Sequence, residues 1–200
     1  MPATAGMFDI DTRTGLLAGA RFVNSPNQDD RPAGVAPELI VIHNISLPPG
    51  EYGGPWIEAL FVNELPASQH PYFVTTSQLK VSTHLLIRRD GALLQFVPLS
   101  KRAWHAGVSV YRGRERCNDF SIGIELEGSD DDAFEPAQYR TLSRTVTALC
   151  GAYGSLSRKH IAGHSDIAPG RKTDPGPHFD WQRLDALLDF DLCVGASRIR

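Results

Sequence analysis

The sequence predicts a mixed α/β fold, in which a central β-sheet of mixed strand direction is flanked by helices. Two apolar, β-branched segments, 39–42 and 120–127, are typical of buried strands. The Asp90-Gly91 pair lies between two apolar segments, as in a tight β-hairpin. Apolar residues recur at helical spacing across 136–153, which predicts a long amphipathic helix. Together these segments indicate one sheet packed by helices.

The other elements are predicted from local signals in chain order. Residues 1–35 are polar and contain two proline-centred loop signals, so we expect loops there. Pro55 suits the first turn of a short helix, and Asp180 can cap a last helix whose leucines face inward. The further elements are a helix at about 55–63, an irregular loop over 64–80, hairpin strands over 82–88 and 92–98, short strands over 102–105 and 159–162, and a helix from residue 181.

Composition limits the class of protein. A chain of 200 residues fits a single domain, and we expect a core at about 21–188 with terminal extensions at 1–20 and 189–200. The formal charge of −3 argues against nonspecific nucleic-acid binding, which uses a basic face. No apolar run is long enough to span a bilayer, and the N-terminus shows no secretory signal.

The cysteines indicate a reducing compartment. Cys117, Cys150 and Cys193 are odd in number and widely spaced, so they fit neither a disulfide framework nor a Cys-x-x-Cys metal site. We therefore expect a cytoplasmic protein with reduced thiols. We also expect a monomer that binds neither nucleic acid nor membrane.

A cation and a carboxylate stand two positions apart in the proline-containing segment 171–177. In an extended chain, residues i and i+2 point the same way, so Lys172 and Asp174 can face one site. A metal hydrolase uses such a pair, because it needs an anionic ligand beside a positive group that meets a developing oxyanion. On its own the pair is more typical of a solvated turn.

Two histidines complete a predicted metal centre. His43 ends a predicted strand and His164 lies in a turn just after another, so both belong to the rim of the sheet. Two imidazoles and the Asp174 carboxylate match the three protein ligands of catalytic zinc, which leaves one position for water. The alternative for His43 is a structural histidine that only completes hydrogen bonds, and this alternative is stronger for His84, inside a hairpin strand.

A carboxylate in an apolar strand is the predicted proton carrier. Glu125 lies within Ile-Gly-Ile-Glu-Leu-Glu, where burial raises the pKa of a carboxyl group and suits it to proton transfer. Glu127 points to the same face of the strand. The pattern alone does not choose between these two carboxylates.

Five ordered motifs stand out along the chain. They are Val-Ile-His-Asn-Ile-Ser-Leu-Pro-Pro-Gly at 41–50, Ala-Trp-His-Ala-Gly at 103–107, Asn-Asp-Phe-Ser-Ile-Gly-Ile-Glu-Leu-Glu-Gly at 118–128, Gly-His-Ser-Asp-Ile-Ala-Pro at 163–169 and Arg-Lys-Thr-Asp-Pro-Gly at 171–176. Through them the chain, from about residue 21 to 188, resembles the AmpD family of 1,6-anhydro-N-acetylmuramyl-L-alanine amidases. That family belongs with the zinc amidases of the phage lysozyme and peptidoglycan-recognition-protein type.

The resemblance implies a central mixed β-sheet flanked by helices, with Zn²⁺ at one rim. It implies that His43, His164 and Asp174 bind the zinc. It places the catalytic carboxylate at Glu125, the first glutamate of Gly-Ile-Glu-Leu-Glu. It places the cation that stabilises the oxyanion at Lys172.

The substrate that the resemblance implies is an anhydro-muropeptide recovered during peptidoglycan recycling, cut at the amide between the muramyl lactyl group and L-alanine. Substrate contacts are implied for Asn44, Trp104 and Arg116. Each has a simpler alternative, since Asn44 could fix its own turn, Trp104 could pack in the core and Arg116 could be a solvated charge. His105 and His84 also match family positions, but we do not expect them to bind zinc.

Two other functions are compatible with the same motifs. A non-catalytic muropeptide-binding receptor is the first, but such receptors typically lose a zinc ligand, and the full set of site residues is present here. An exported amidase acting on intact cell wall is the second, and the absence of a signal segment argues against it. The motifs also leave open another divalent ion, because affinity alone does not determine which metal is bound.

Overall fold

The computed structural model describes the backbone of residues 8–196 and the side chains as far as Asp189. The strands in this range are β1 Ile10–Asp11, β2 Leu16–Leu17, β3 Arg21–Phe22, β4 Gln28–Asp30, β5 Leu39–Ile45, β6 Leu85–Ile87, β7 Leu93–Gln95, β8 Lys101–Ala103, β9 Val110–Tyr111, β10 Arg114–Glu115, β11 Ser121–Glu127 and β12 Ile161–Gly163. The α-helices are α1 Trp56–Phe61, α2 Phe73–Thr76, α3 Pro136–Ala152, α4 His164–Ile167 and α5 Trp181–Ala196. Short 3-10 helices lie at Ala67–Gln69, Cys117–Asp119 and Arg158–His160.

A six-stranded sheet of mixed direction forms the centre, which confirms the predicted fold class. Its strand order is β12-β5-β11-β6-β7-β3. Strand β5 is parallel to both β12 and β11, and β11 is parallel to β6. Strands β6 and β7 form the antiparallel hairpin predicted around Asp90-Gly91. Because β12, β5 and β11 are parallel, their carboxyl ends meet at one edge of the sheet.

The two long helices cover one face of the sheet. Alternate residues of β5 and β11, such as Ile42 and Ile124, pack there against Leu142 and Val146 of α3 and Leu184 of α5. Two smaller apolar clusters lie on the other face, one around α1 and α2 and the other around the segment that follows β8. The side chains of the candidate site lie on this second face, so the long helices support the site without contacting it.

Both long helices begin where capping predicts. Glu135 and Gln138 form a capping box at the start of α3, with Pro136 in its first turn. The Asp180 carboxylate accepts the backbone N–H of Arg183 at 2.9 Å, which confirms the predicted cap of α5. Helix α5 continues to Ala196, so the expected boundary at residue 188 does not mark the end of this element.

The two proline-centred loop signals, at 24–27 and 31–34, do lie in loops, but the prediction of loops was wrong at four short strands in the described part of 1–35. Strands β1 to β4 lie there, and β3 extends the central sheet beside β7. Leu17 is buried, and its N–H donates to the Gln95 side chain at 2.9 Å. Strands of two or three residues are too short to show alternation, so these elements have no periodic signal. The outermost residues of both extensions, 1–7 and 197–200, lie outside the described range.

Three other predicted segments differ from the structure in their content or their bounds. The predicted irregular loop over 64–80 contains a 3-10 turn and the short helix α2. The strands predicted over 102–105 and 159–162 are β8 and β12, each shifted by one or two residues. The hairpin of β9 and β10 was not predicted. No helix in the described range combines the length and hydropathy that crossing a membrane requires.

Candidate metal centre and active site

Three side chains from separate elements converge at the carboxyl edge of the sheet. His43 lies on β5, His164 is the first residue of α4 directly after β12, and Asp174 lies in the following loop. His43 Nδ1 and His164 Nδ1 are 3.0 Å apart, and each lies 3.0 Å from Asp174 Oδ2. These three side chains form a group of metal-ligand residues that could hold a metal ion.

The spacing of these atoms fits a single small cation. A triangle with sides of 3.0 Å has points about 2.0–2.2 Å from all three corners, which is the length of zinc bonds to imidazole nitrogen and carboxylate oxygen. Both imidazoles are buried, with His43 at 1% and His164 at 3% exposure. Burial lowers the pKa of His43 to about 4, so this ring is neutral at pH 7, as a ligand must be.

Hydrogen bonding outside the triangle fixes the protonation of His164. Its Nε2 lies 3.0 Å from the carbonyl oxygen of Ala106, which can only accept. Arg171 also donates to that oxygen, at 2.6 Å, and to the carbonyl of Val108. Arg171 Nη2, which can only donate, also approaches Nε2, but at 3.4 Å it is the more distant partner. In the neutral ring the proton is therefore on Nε2, and Nδ1 presents a lone pair to the centre of the triangle. This is the arrangement in which a metal-binding histidine is usually held.

Glu125 lies beside the triangle and is incompletely satisfied. It pairs in register with His43 across the parallel strands β11 and β5, so the two side chains share one face. The carboxylate is buried, and among the described residues its Oε2 has no hydrogen-bond partner. Burial and the nearby charge of Asp174 raise the pKa of Glu125 well above its usual value, although Lys172 acts in the opposite direction. A raised pKa makes the carboxylate a stronger base, which suits this group to proton transfer.

Glu127 has a different environment, although it lies on the same face of β11. Its Oε1 accepts from Arg88 at 2.7 Å and from the backbone N–H of Gly53 at 2.7 Å. Its Oε2 accepts from the backbone N–H of Arg89 at 3.1 Å. Glu127 is thus fully engaged in joining three segments. The structure separates the two glutamates that the sequence pattern left equivalent.

Lys172 is exposed at the side of the site. Its backbone N–H donates to the carbonyl of Ala168 at 3.1 Å, which bends the loop back toward α4. Its charge lowers the pKa of both Glu125 and His43, so the ammonium lies within electrostatic range of the centre. Lys172 and Asp174, the cation and carboxylate predicted to face one site, therefore both lie at the metal triangle.

The three predicted substrate contacts occupy different surroundings. Trp104 is half-buried directly after β8, with its backbone N–H bound to Ser82 Oγ. Arg116 is 70% exposed and makes a 3.2 Å ion pair with Asp119. Both side chains therefore have surface free for a ligand.

Asn44 is turned away from the metal triangle. Strand alternation places it on the opposite face from His43. Its amide nitrogen donates to Asp130 Oδ1 at 2.7 Å and to the carbonyl of Pro175 at 3.0 Å. The structure thus has Asn44 fixing the loop that carries Asp174 rather than its own turn, and a substrate contact by this residue stays a prediction.

The sequence did not predict that His105 would contact the ligand His43. Its Nδ1 lies 2.9 Å from His43 Nε2, and its Nε2 lies 3.0 Å from Ser121 Oγ. A Cβ placed on Gly123 would lie 2.5 Å from Cγ of this ring. A glycine inside a strand signals close approach by another group, so Gly123 was the indication available in the sequence.

Comparison with known proteins identifies the family. Residues 33–177 match the model of the N-acetylmuramoyl-L-alanine amidase family. The chain belongs to this amidase family. It is similar to the 1,6-anhydro-N-acetylmuramyl-L-alanine amidase AmpD of Escherichia coli K12, with 58% identity over 174 residues that cover 87% of this chain and 94% of the relative.

Solved structures show the same relationship. The amidase resembles the crystal structure of a selenomethionine derivative of AmpD, with a TM-score of 0.85 and 58% identity over 88% of this chain and 97% of the other. It also resembles the Escherichia coli amidase AmiD in complex with anhydro-N-acetylmuramic acid-L-Ala-D-γ-Glu-L-Lys. There the TM-score is 0.56, with 30% identity over 78% of this chain and 60% of AmiD.

Proposed function

We propose that the protein is a zinc-dependent amidase of peptidoglycan recycling. Its reaction is hydrolysis of the amide between 1,6-anhydro-N-acetylmuramic acid and L-alanine in anhydro-muropeptides. The single observation that carries the proposal is the position of Glu125, a buried and incompletely paired carboxylate beside three converging ligand atoms. The high identity to AmpD over nearly its whole length supports the substrate class.

The donor set suits zinc. Two neutral imidazoles and one carboxylate, from His43, His164 and Asp174, are the ligand types of catalytic zinc sites with a position open for water. When bound, zinc lowers the pKa of its water to about 7 and polarises the carbonyl of the substrate.

Glu125 and Lys172 supply the remaining chemistry. The raised pKa of Glu125 allows its carboxyl to take the proton released as water attacks and to pass it to the departing amine of L-alanine. Lys172, an exposed cation beside the site, faces the developing oxyanion. Each group acts on charge that appears only during the reaction, so each lowers the barrier more than it strengthens binding of the substrate.

Substrate contacts complete the proposal. Trp104 offers a half-exposed aromatic face to the sugar, and Arg116 offers an exposed guanidinium to a carboxylate of the peptide stem. Cys117 and Cys150 are unpaired among the described side chains, which suits the cytoplasm, where we place this amidase as a monomer.

Metal analysis and an amidase assay on the Asp174→Ala variant test this proposal. Removal of one of three protein ligands should abolish stable zinc binding, so we expect about one zinc per wild-type chain and almost none in the variant. Release of the L-alanine-led peptide should fall with the metal content. The exposed Asp185, on α5, supplies the control substitution Asp185→Ala, which should keep both the zinc and the activity.

The same assay separates enzyme from receptor. A wild-type chain that binds anhydro-muropeptide but releases no peptide over long incubation would support a non-catalytic receptor. A wild-type chain that hydrolyses its substrate without any metal would contradict the assigned roles of His43, His164 and Asp174.

A further inference from the structure

A row of hydrogen-bonded side chains extends behind the metal triangle, away from the open site. It runs from His43 Nε2 to His105 Nδ1 at 2.9 Å, and from His105 Nε2 to Ser121 Oγ at 3.0 Å. His43 and Ser121 are buried, with exposures of 1% and 0%. The His43 and His105 rings meet edge to face, at 87°. The nitrogen of His43 that does not face the triangle thus has one side-chain partner.

The local sequence makes room for this row. The His105 ring lies on the backbone of Gly123, where any Cβ would overlap it at 2.5 Å. The backbone N–H groups of His105 and Ala106 both donate to Asn118 Oδ1, at 3.1 and 2.8 Å, and hold the segment in place. His105 is therefore fixed by the strand beneath it and by the loop beside it.

The positions of the protons follow from what the triangle contains. Without an ion, a proton must lie within the triangle, because its three corner atoms are otherwise all acceptors 3.0 Å apart. His164 has its proton on the far nitrogen, so the proton in the triangle belongs to His43 Nδ1. His43 Nε2 then accepts from His105 Nδ1–H, and Ser121 donates to His105 Nε2. With an ion, His43 Nδ1 must be a lone pair, so its proton is on Nε2 and points at His105. Neutral His105 then accepts at Nδ1 and donates from Nε2 to Ser121.

We propose that His105 is a positioning residue for the metal ligand His43. When His105 Nε2–H donates to Ser121 Oγ, His105 Nδ1 is a lone pair that accepts a hydrogen bond from His43 Nε2–H. This bond requires the tautomer of His43 in which Nδ1 is free to bind metal. Metal entry therefore reverses the direction of both hydrogen bonds in the row. This inference rests on the proposed function, because it assumes that zinc occupies the triangle.

Zinc affinity of two variants at one position tests the inference. His105→Leu removes the acceptor that faces His43, and loss of such an outer partner typically weakens metal binding about 10–100-fold. His105→Asn keeps an acceptor oxygen near the position of Nδ1, so its affinity should stay close to that of the wild type. Val146→Ala opens a cavity on the opposite face of the sheet and controls for general destabilisation, with zinc affinity unchanged.

Zinc affinities measured by competition with a chelator distinguish failure of the proposed function from failure of this inference alone. A wild-type chain that takes up no zinc overturns the proposed function and this inference with it. A wild-type chain that binds zinc no more tightly than the His105→Leu variant overturns the inference alone. Weakening by His105→Leu together with retention by His105→Asn and Val146→Ala supports it.

Nitrogen-15 NMR of the histidine rings provides a second readout that a purely structural role would not change. On addition of zinc, the His105 proton should move from Nδ1 to Nε2, and the His43 proton should also be found on Nε2. His105 with the same protonated nitrogen in both states would overturn the inference, whatever the affinities.

Discussion

Exchange of Glu125 and Glu127 for glutamine, one at a time, should separate turnover from stability. The two carboxylates are two residues apart on the same face of β11, but only Glu127 is fully paired. Glutamine has the shape of glutamate without its charge or its transferable proton. We expect Glu125→Gln to lose activity without any loss of stability, and Glu127→Gln to lose stability without loss of the proton carrier.

The magnitudes follow from the contacts. Glu127 and Arg88 form a 2.7 Å ion pair with side-chain exposures of 2% and 12%, and loss of one partner of a buried pair costs about 3–5 kcal/mol. Arg88 keeps Glu58 at 3.0 Å, so we expect about 3 kcal/mol, the lower end of this range. For a chain of this size, that lowers Tm by roughly 6–12 °C. Glu125→Gln removes a proton carrier, which reduces turnover about 100-fold to 10,000-fold.

The pH dependence of stability gives Glu125 a further signature in the zinc-free protein. Burial, with the charge of Asp174, raises the pKa of the folded carboxyl well above the unfolded value of 4.5. Between these two pKa values, the Glu125 carboxyl is protonated more fully in the folded state than in the unfolded state. The stability that this difference provides is fully present below pH 4.5 and is lost as pH rises through the folded pKa. Glu125→Gln should remove this decline, while Glu127→Gln should keep it.

Thermal unfolding, urea titration and turnover of anhydro-muropeptide below the lower Tm measure all three effects. Wild-type turnover in the Glu125→Gln variant would refute its assignment as the proton carrier. A wild-type Tm in the Glu127→Gln variant would refute the assignment of Glu127 to the buried ion pair.

Two more predictions concern Lys172 and His84. Lys172→Met should reduce turnover about 100-fold to 1000-fold with zinc content unchanged. It should also move the acid limb of the pH–rate profile to higher pH, because the charge of the lysine lowers the pKa of Glu125; an unmoved profile would contradict that electrostatic interaction. Burial and the charge of Arg31 lower the pKa of His84 from 6.5 to about 3, so this residue should contribute a loss of about 1.4 kcal/mol in wild-type stability for each unit that pH falls between 6.5 and about 3. His84→Asn keeps an acceptor for the Gly123 N–H and should flatten this decline in urea titrations of zinc-free protein; an unchanged slope would count against it.

Periodic and capping signals predicted the elements that are long enough to carry them. The apolar stripe of α3, the cap at Asp180 and the strand at 121–127 all agree with the structure. Strands β1 to β4 were missed because each has only two or three residues, held by contacts with distant segments such as β7 and β8. A local pattern contains no information about such pairing.

The candidate site was predicted unevenly for a related reason. The family motifs named His43, His164 and Asp174, and the structure brings these three together. The motif also implied a substrate contact for Asn44, which stays a prediction. It did not indicate that the Asn44 amide donates to Asp130 and to the carbonyl of Pro175, because these partners lie far along the chain and a local pattern contains no information about them.

The sequence by itself determined which residues share a face of the sheet, where the long helices begin, and which side chains are chemically able to bind a metal. These properties depend on interactions over a few residues, which a linear pattern records. Only the tertiary structure decided that ligand atoms 121 and 131 positions apart lie 3.0 Å from each other, and that Arg88 pairs with Glu127 but not Glu125. The pairing and the pKa of a buried group depend on neighbours from distant segments, so folding decides that Glu127 is paired with Arg88 and that the pKa of Glu125 is raised.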